Sequence, residues 1–350
     1  MTKRVYPNTY TTMITVSHTM QTPAKTNAIC NLTVDESDVR FMVGTAGGPN
    51  SFLVIYEKDG PSTESYHEKV RLGVCSSVCS ITLLPSRLVA VGFEDGYLRL
   101  YSIGTDILEI ESHKVSQTGS CTSALAIDDS LFVGTECGKL MLVSVENLKK
   151  GVTLYKNMAC VTDMCEINAH SVACGQIDGS IVIVDTKVEK RRVHLRVMND
   201  TGITSIANHP KFPGLLAFGT EDGRVGFIDT MKETKNRSHV FTATSYPCPV
   251  WKIAYHPKKS NLLYTSSDDG SFIEWDAIGS TKSSENVAGE VDRDAFASAT
   301  LEYSMQVRHL IKSTAPVNAL AIVGDRYIIA LECSQVQIVR TVPHESVELK

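Results

Sequence analysis

Residues able to do chemistry are spread thinly along this chain, and the first question is whether any of them could act together. Ser80, Ala124, Asp163, Ser205, Lys252 and Ala319 take comparable places in short apolar segments that recur through the sequence. A catalytic or metal site built on such segments needs ligands or acid/base groups at several of these places. Four of the six neither ligate a metal well nor act as a base at neutral pH. Asp163 and Lys252 read as an ion pair without a catalytic role.

The other reactive residue types give no site either. The histidines contain no HExxH, and His209 and His256 each precede a proline, which holds its predecessor in extended backbone, so both read as turn residues. The ten cysteines include no CxxC, and Cys75 and Cys79 have no matching pair at zinc-finger spacing. Cys79, Cys165 and Cys174 lie inside apolar runs, the setting of buried reduced thiols in the cytosol or nucleus. GxSxG, P-loop and GxGxxG patterns are missing. The expectation is no catalytic residue, no metal site and no cofactor.

What positions these residues is a repeat. VCSITLLPSRLVAVGFEDGYLRLYSI from Val78 returns as VTDMCEINAHSVACGQIDGSIVIVDT from Val161, ITSIANHPKFPGLLAFGTEDGRVGFIDT from Ile203 and VWKIAYHPKKSNLLYTSSDDGSFIEWDA from Val250. Further copies start at Thr122 and, in degenerate form, at Phe41 and Val317. The anchoring glycines, Gly96, Gly138, Gly179, Gly223 and Gly270, are 42, 41, 44 and 47 residues apart. That period suits a four-stranded propeller blade, and each copy reads as strand, loop, strand, Asp-Gly turn, strand. Asp95, Asp178, Asp222 and Asp269 precede their glycines and are expected to close the turn by accepting backbone hydrogen bonds. Cys137 takes this place in one copy, which is expected to be looser for it.

The series EDGYLRLYSI, IDGSIVIVDT, EDGRVGFIDT and DDGSFIEWDA resembles the second half of WD40 repeats, although only Trp275-Asp276 keeps the literal dipeptide. The resemblance and the repeat count imply an all-β, seven-bladed WD40 β-propeller, one domain over residues 1–350. The last copy lacks material for a fourth strand. Thr11 to Met20, TTMITVSHTM, is β-branched enough to supply it and close the ring. From Gly270 to the aligned Ser334 is 64 residues, which places an insertion loop at about 278–316.

The wording VWKIAYHP, LLYTSSDDGS and EWDA, then a Ser-rich insertion, then a closing repeat from VNALAI to QIVRT, resembles the smaller WD-repeat nucleoporins of the Y-shaped outer-ring complex of the nuclear pore. This resemblance implies a non-catalytic scaffold subunit at the nuclear envelope and in mitosis at the kinetochore, docked on an α-helical nucleoporin of the short arm. Tyr303, Met305 and Leu310, apolar within a polar insertion, are candidates for that contact, or else pack the loop on its own blade. The alternatives are a substrate receptor of a cullin-type ubiquitin ligase or a histone or peptide reader. A receptor would often carry Trp-Asp-x-Arg, where this chain has Ile278 after Ala277. A reader of methylated peptides would need an aromatic cage at one channel mouth.

Composition narrows the partners further. At 43% hydrophobic and 21% charged residues most of the chain should fold. The net charge of -5 gives no broad attraction to phosphate backbones, so direct nucleic-acid binding is not expected. KVEKRRVHLR, Lys187 to Arg196, reads as a solvated outer strand or loop. Neither a run of about 18 apolar residues nor a secretion h-region is found, so neither export nor membrane insertion is expected.

Overall fold

Seven antiparallel four-stranded sheets follow one another around a ring in the computed structural model. It describes residues 12–343 except 36–37, 157, 188–191, 197–200, 232–237, 243, 245 and 278–305. The blades span 25–74, 78–114, 121–155, 161–196, 203–242, 250–312 and 317–343. Each is a meander with its first strand innermost and its fourth outermost. The fold is thus the seven-bladed propeller expected from the repeat.

The burial of each strand follows from its composition. Second strands such as LVAVGF, LLAFGT and RYIIAL are mostly apolar and buried at nearly every residue, because a neighbouring blade covers each face. The outer strand YHEKVRLGV instead exposes its charged residues to solvent. The core is therefore divided among the gaps between blades. Leu215 and Phe227 of blade five pack with Val250 and Trp275 of blade six, and Tyr264 and Phe272 of blade six with Val317 and Tyr327 of blade seven. Ile328 and Ile338 of blade seven meet Phe41 and Tyr56 of blade one, and this last cluster shuts the ring.

The fourth strand of blade seven comes from the opposite end of the chain. Strand β1, Thr12–Gln21, pairs antiparallel with β28, Gln335–Pro343, from Thr12 opposite Pro343 to Gln21 opposite Gln335. Blade six is completed by Gln306–Lys312, which pairs with Ser271–Asp276 across the excursion at 278–305. Seven residues assigned to the insertion are therefore an outer strand. Arg192–Arg196 is likewise the outer strand of blade four, one of the two readings given to that basic stretch.

Trp275, the tryptophan of the surviving Trp-Asp pair, is only 2% exposed, and its indole donates to Thr265 Oγ1 at 3.0 Å. Its neighbour Asp276 accepts from Asn261 Nδ2 at 2.9 Å, across the turn before the second strand. Both residues hold one blade together. The recurring His-Pro histidines do more than turn the chain. His209 Nδ1 accepts from the Lys211 and Phe212 amides, while Nε2 lies 2.8 Å from Ser260 O of the next blade. His256 repeats the inner half, accepting from the Lys258 and Lys259 amides. Burial, followed by the Lys259 ammonium, holds the His256 imidazole below its ordinary range, which suits an acceptor nitrogen.

Candidate functional site

The inner strands surround a cavity of about 510 Å³ whose wall includes Asn27, Thr122, Thr162, Asp163, Trp251 and Lys252. All seven inner strands carry an irregularity at the same place, so that one residue is skipped in the pairing. The skipped residues are Asn27, Cys79, Thr122, Thr162, Thr204, Trp251 and Asn318, and such a bulge aims its side chain off the regular ladder. Four of them use that freedom to reach the next blade. Asn27 Nδ2 donates to Val78 O at 3.3 Å, Thr122 to Val161 O at 2.5 Å, Thr162 to Ile203 O at 2.6 Å and Thr204 to Val250 O at 2.5 Å.

The bulge also settles which residues are equivalent. Ser80, Asp163, Ser205, Lys252 and Ala319 follow the skipped residue in their blades, as expected, but in blade three that place belongs to Ser123, opposite Gly134. Ala124 is one residue further on and pairs with Val133. Sequence alignment without a hydrogen-bond register could not see this shift.

Asp163 and Lys252 do form an ion pair, 2.7 Å between Nζ and Oδ2. It spans blade five, whose Ser205 Oγ donates to the same Oδ2 at 2.7 Å and whose Ile206 amide reaches it at 3.2 Å. Asp163 Oδ1 accepts from the Met164 amide at 3.0 Å. Ser205 Oγ in turn accepts from the Ile253 amide at 3.2 Å. A carboxylate engaged on both oxygens is poorly placed to take a proton from a substrate, and here it ties three blades together.

Three of the four turn aspartates, Asp95, Asp178 and Asp269, accept a backbone amide, and Asp222 accepts from a hydroxyl instead. Asp269 Oδ1 accepts from the Ser271 amide at 2.9 Å and Ser267 Oγ at 2.7 Å, and its other oxygen meets Lys312 at 2.7 Å. Asp178 accepts from the Ser180 amide and hydroxyl, Asp222 from Thr220 Oγ1 at 2.6 Å, and Asp95 from the Tyr97 amide at 3.1 Å. At Cys137 the turn keeps its form through Thr135, whose hydroxyl accepts from the Lys139 amide at 3.0 Å, as Thr220 does from Arg224. Burial pushes the Cys137 thiol up, but hydroxyls of Ser116 and Thr135 outweigh it and hold the thiol below its usual range.

We expect Asp269→Ala to lower unfolding free energy by about 1 to 3 kcal/mol, since it strands buried donors. Asp222→Ala should follow in the same range, and Asp95→Ala should lose less, because the Asp95 side chain is 35% exposed and water can replace it. Urea unfolding of the three variants checks this; equal midpoints for all would remove the structural role of these turns.

Of the three residues offered as partner contacts, Tyr303 and Met305 lie outside the described residues. Leu310 is 7% exposed on the outer strand of blade six and packs with Tyr264, Phe272 and Tyr327. Its side chain is taken up by the gap between blades six and seven. All ten cysteines are free thiols, and burial raises Cys79 and Cys174 to about 12. Among the described residues no group of three or more His, Cys, Asp or Glu side chains is gathered to hold a metal, and no helix is long and apolar enough to cross a membrane.

No protein-family model matches the chain. Two curated proteins, each called Nucleoporin Nup43, from Mus musculus and Homo sapiens, are each 29% identical to it over 72 residues. That stretch is 21% of this chain and 18% of each relative, so the match covers less than a fifth of their length. With seven blades in place and that stretch of likeness, the chain is a seven-bladed β-propeller that resembles the nucleoporin Nup43.

Proposed function

We propose that the chain is a non-catalytic scaffold subunit of the Y-shaped outer-ring complex of the nuclear pore, held at the nuclear envelope by docking on an α-helical nucleoporin. The observation that carries this reading is the likeness to Nup43 on a propeller with all seven blades. The geometry of Asp163 supports the non-catalytic part, since the most reactive-looking carboxylate of the channel is spent on bracing blades four to six. Tyr303 and Met305 stay as the proposed contact with the helical partner; Leu310 is withdrawn from it because it is buried.

Affinity purification of the tagged chain is the direct test. Outer-ring nucleoporins in stoichiometric amounts, lost on Tyr303→Glu with Met305→Glu at unchanged melting temperature, are the expected result. Recovery of cullin-ligase adaptors without nucleoporins would overturn it in favour of a substrate receptor.

A further inference from the structure

Trp251 breaks the pattern of the channel wall. At the skipped position of the inner strands the other blades have Asn, Cys, Thr, Thr, Thr and Asn, and blade six has a tryptophan whose indole is left 39% exposed. The substitution forgoes the staple to the next blade that Asn27 and three threonines make. Instead the Trp251 indole donates to Asp268 Oδ1 at 3.0 Å, which fixes the ring beside a carboxylate in the wall of the 510 Å³ cavity. Two further apolar side chains are exposed on the loops of this end, Tyr246 on the loop entering blade six and Ile177 on the turn of blade four, at 53% and 41%.

Carboxylates outnumber cations around this end of the channel, where Lys139 in the turn of blade three is a cation with no ion pair among the described residues. Glu94, Glu136, Glu221, Asp268 and Glu332 all follow the second strand of their blades, and each amide donates to the carbonyl just before its own inner strand. They therefore stand at one level around the mouth. Glu332 is paired with Lys25 at 2.7 Å. Glu136 is occupied by the Ser120 amide and hydroxyl, and Glu94 and Glu221 have no hydrogen bond or ion pair from their side chains among the described residues. The turn aspartates beside them do not add to this excess, because Asp95, Asp222 and Asp269 are neutralised by Arg99, Arg224 and Lys312.

We propose that this mouth seats a lysine or arginine side chain of an extended protein segment, its cation over Trp251 and facing Asp268 and Glu221, with neighbouring apolar residues of the segment on Tyr246 and Ile177. An aromatic face attracts a cation, and the attraction grows when carboxylates nearby remain uncompensated. A nucleic acid is disfavoured by the same charges. A single exposed indole does not make the multi-ring cage that quaternary ammonium recognition uses, so an unmodified cation fits better. The inference rests on the reading of the chain as a protein-binding platform and adds the face and the chemistry of one contact.

The test uses the whole chain and a blocked nine-residue peptide of alternating arginine and leucine, against the same peptide with citrulline in place of arginine. Trp275 is buried, so acrylamide quenching of tryptophan emission reads Trp251, and Trp251→Phe supplies the blank. Protection by the arginine peptide, weakened by salt, absent with citrulline, and reduced about five-fold in affinity by Glu221→Gln with Asp268→Asn, is the expected result. No protection at millimolar arginine peptide, or equal protection by the citrulline peptide, overturns the proposal. Recovery of outer-ring nucleoporins by the tagged chain is scored separately, so failure here leaves the scaffold reading standing, and the reverse also holds.

Discussion

Deleting residues 1–21 is expected to lower the melting temperature by about 5 to 10 °C and to promote aggregation. The deletion removes the nine-residue pairing of β1 on β28, together with the Thr12-to-Gln21 edge that shields the last blade. It also removes Met20, buried in the cluster that joins blades seven and one, and the Ser17 hydroxyl that donates to Ile338 O at 3.1 Å. Each lost hydrogen bond contributes about 0.5 to 1.5 kcal/mol and the buried methionine about 1.5 to 3, so several kcal/mol go at once. The bare edge of β28 then offers its unpaired amides to another molecule. Thermal melting and size-exclusion chromatography check the outcome, and a synthetic peptide of residues 12–21 should restore part of the loss. Unaltered melting and solubility would mean that three strands suffice for blade seven.

The strand that closes the ring was legible in the sequence because it needed only composition and the arithmetic of a missing fourth strand. The turn chemistry at Asp95, Asp178 and Asp269 is local, an acceptor two residues before the amide it binds and a glycine after it, whereas at Asp222 the Thr220 hydroxyl takes that amide. Register was not legible. A bulge at Asn27, Cys79, Thr122, Thr162, Thr204, Trp251 and Asn318 is a property of pairing between strands, and without it Ala124 stood in the place of Ser123. Yet a signal was there, since an Asn or Thr at the second or third residue of the inner strand recurs in five of the blades.

Leu310 shows a second limit. Its strand, Gln306–Lys312, is separated from its partner, Ser271–Asp276, by an excursion with no turn signal at its far end, so nothing local marked the return to the blade. Regular alternation along this strand leaves Val307 48% exposed and Leu310 buried, and the pairing becomes irregular only after His309, where Ile311 pairs with Phe272. Where long-range pairing decides which face a residue takes, the apolar pattern of a short segment fits both a partner contact and a core position.

The turn of blade six gives a large expected loss from one methyl group. Gly270 has φ +78°, a region that costs an ordinary L-residue roughly 1 to 2 kcal/mol. A Cβ built there would stand 2.1 Å from Ser313 O and 3.0 Å from Ala315 O, both backbone atoms of the loop that leads into blade seven. That loop is held against the turn by the Ser313 amide, which donates to Gly270 O at 2.8 Å, and by Lys312 on Asp269. Neither atom is the end of a flexible side chain, so relief requires the loop to move and to break these contacts. We expect Gly270→Ala to lower unfolding free energy by about 3 kcal/mol or more, the sum of backbone strain and overpacking. Gly104→Ala is the matched control, since its φ is not positive and no atom lies within 4 Å of the added carbon. It should stay within about 0.5 kcal/mol of the parent. Urea unfolding of the two variants side by side decides the matter: coincident midpoints would mean that the turn does not press on the loop as described, and the account of how blade six holds blade seven would have to be abandoned.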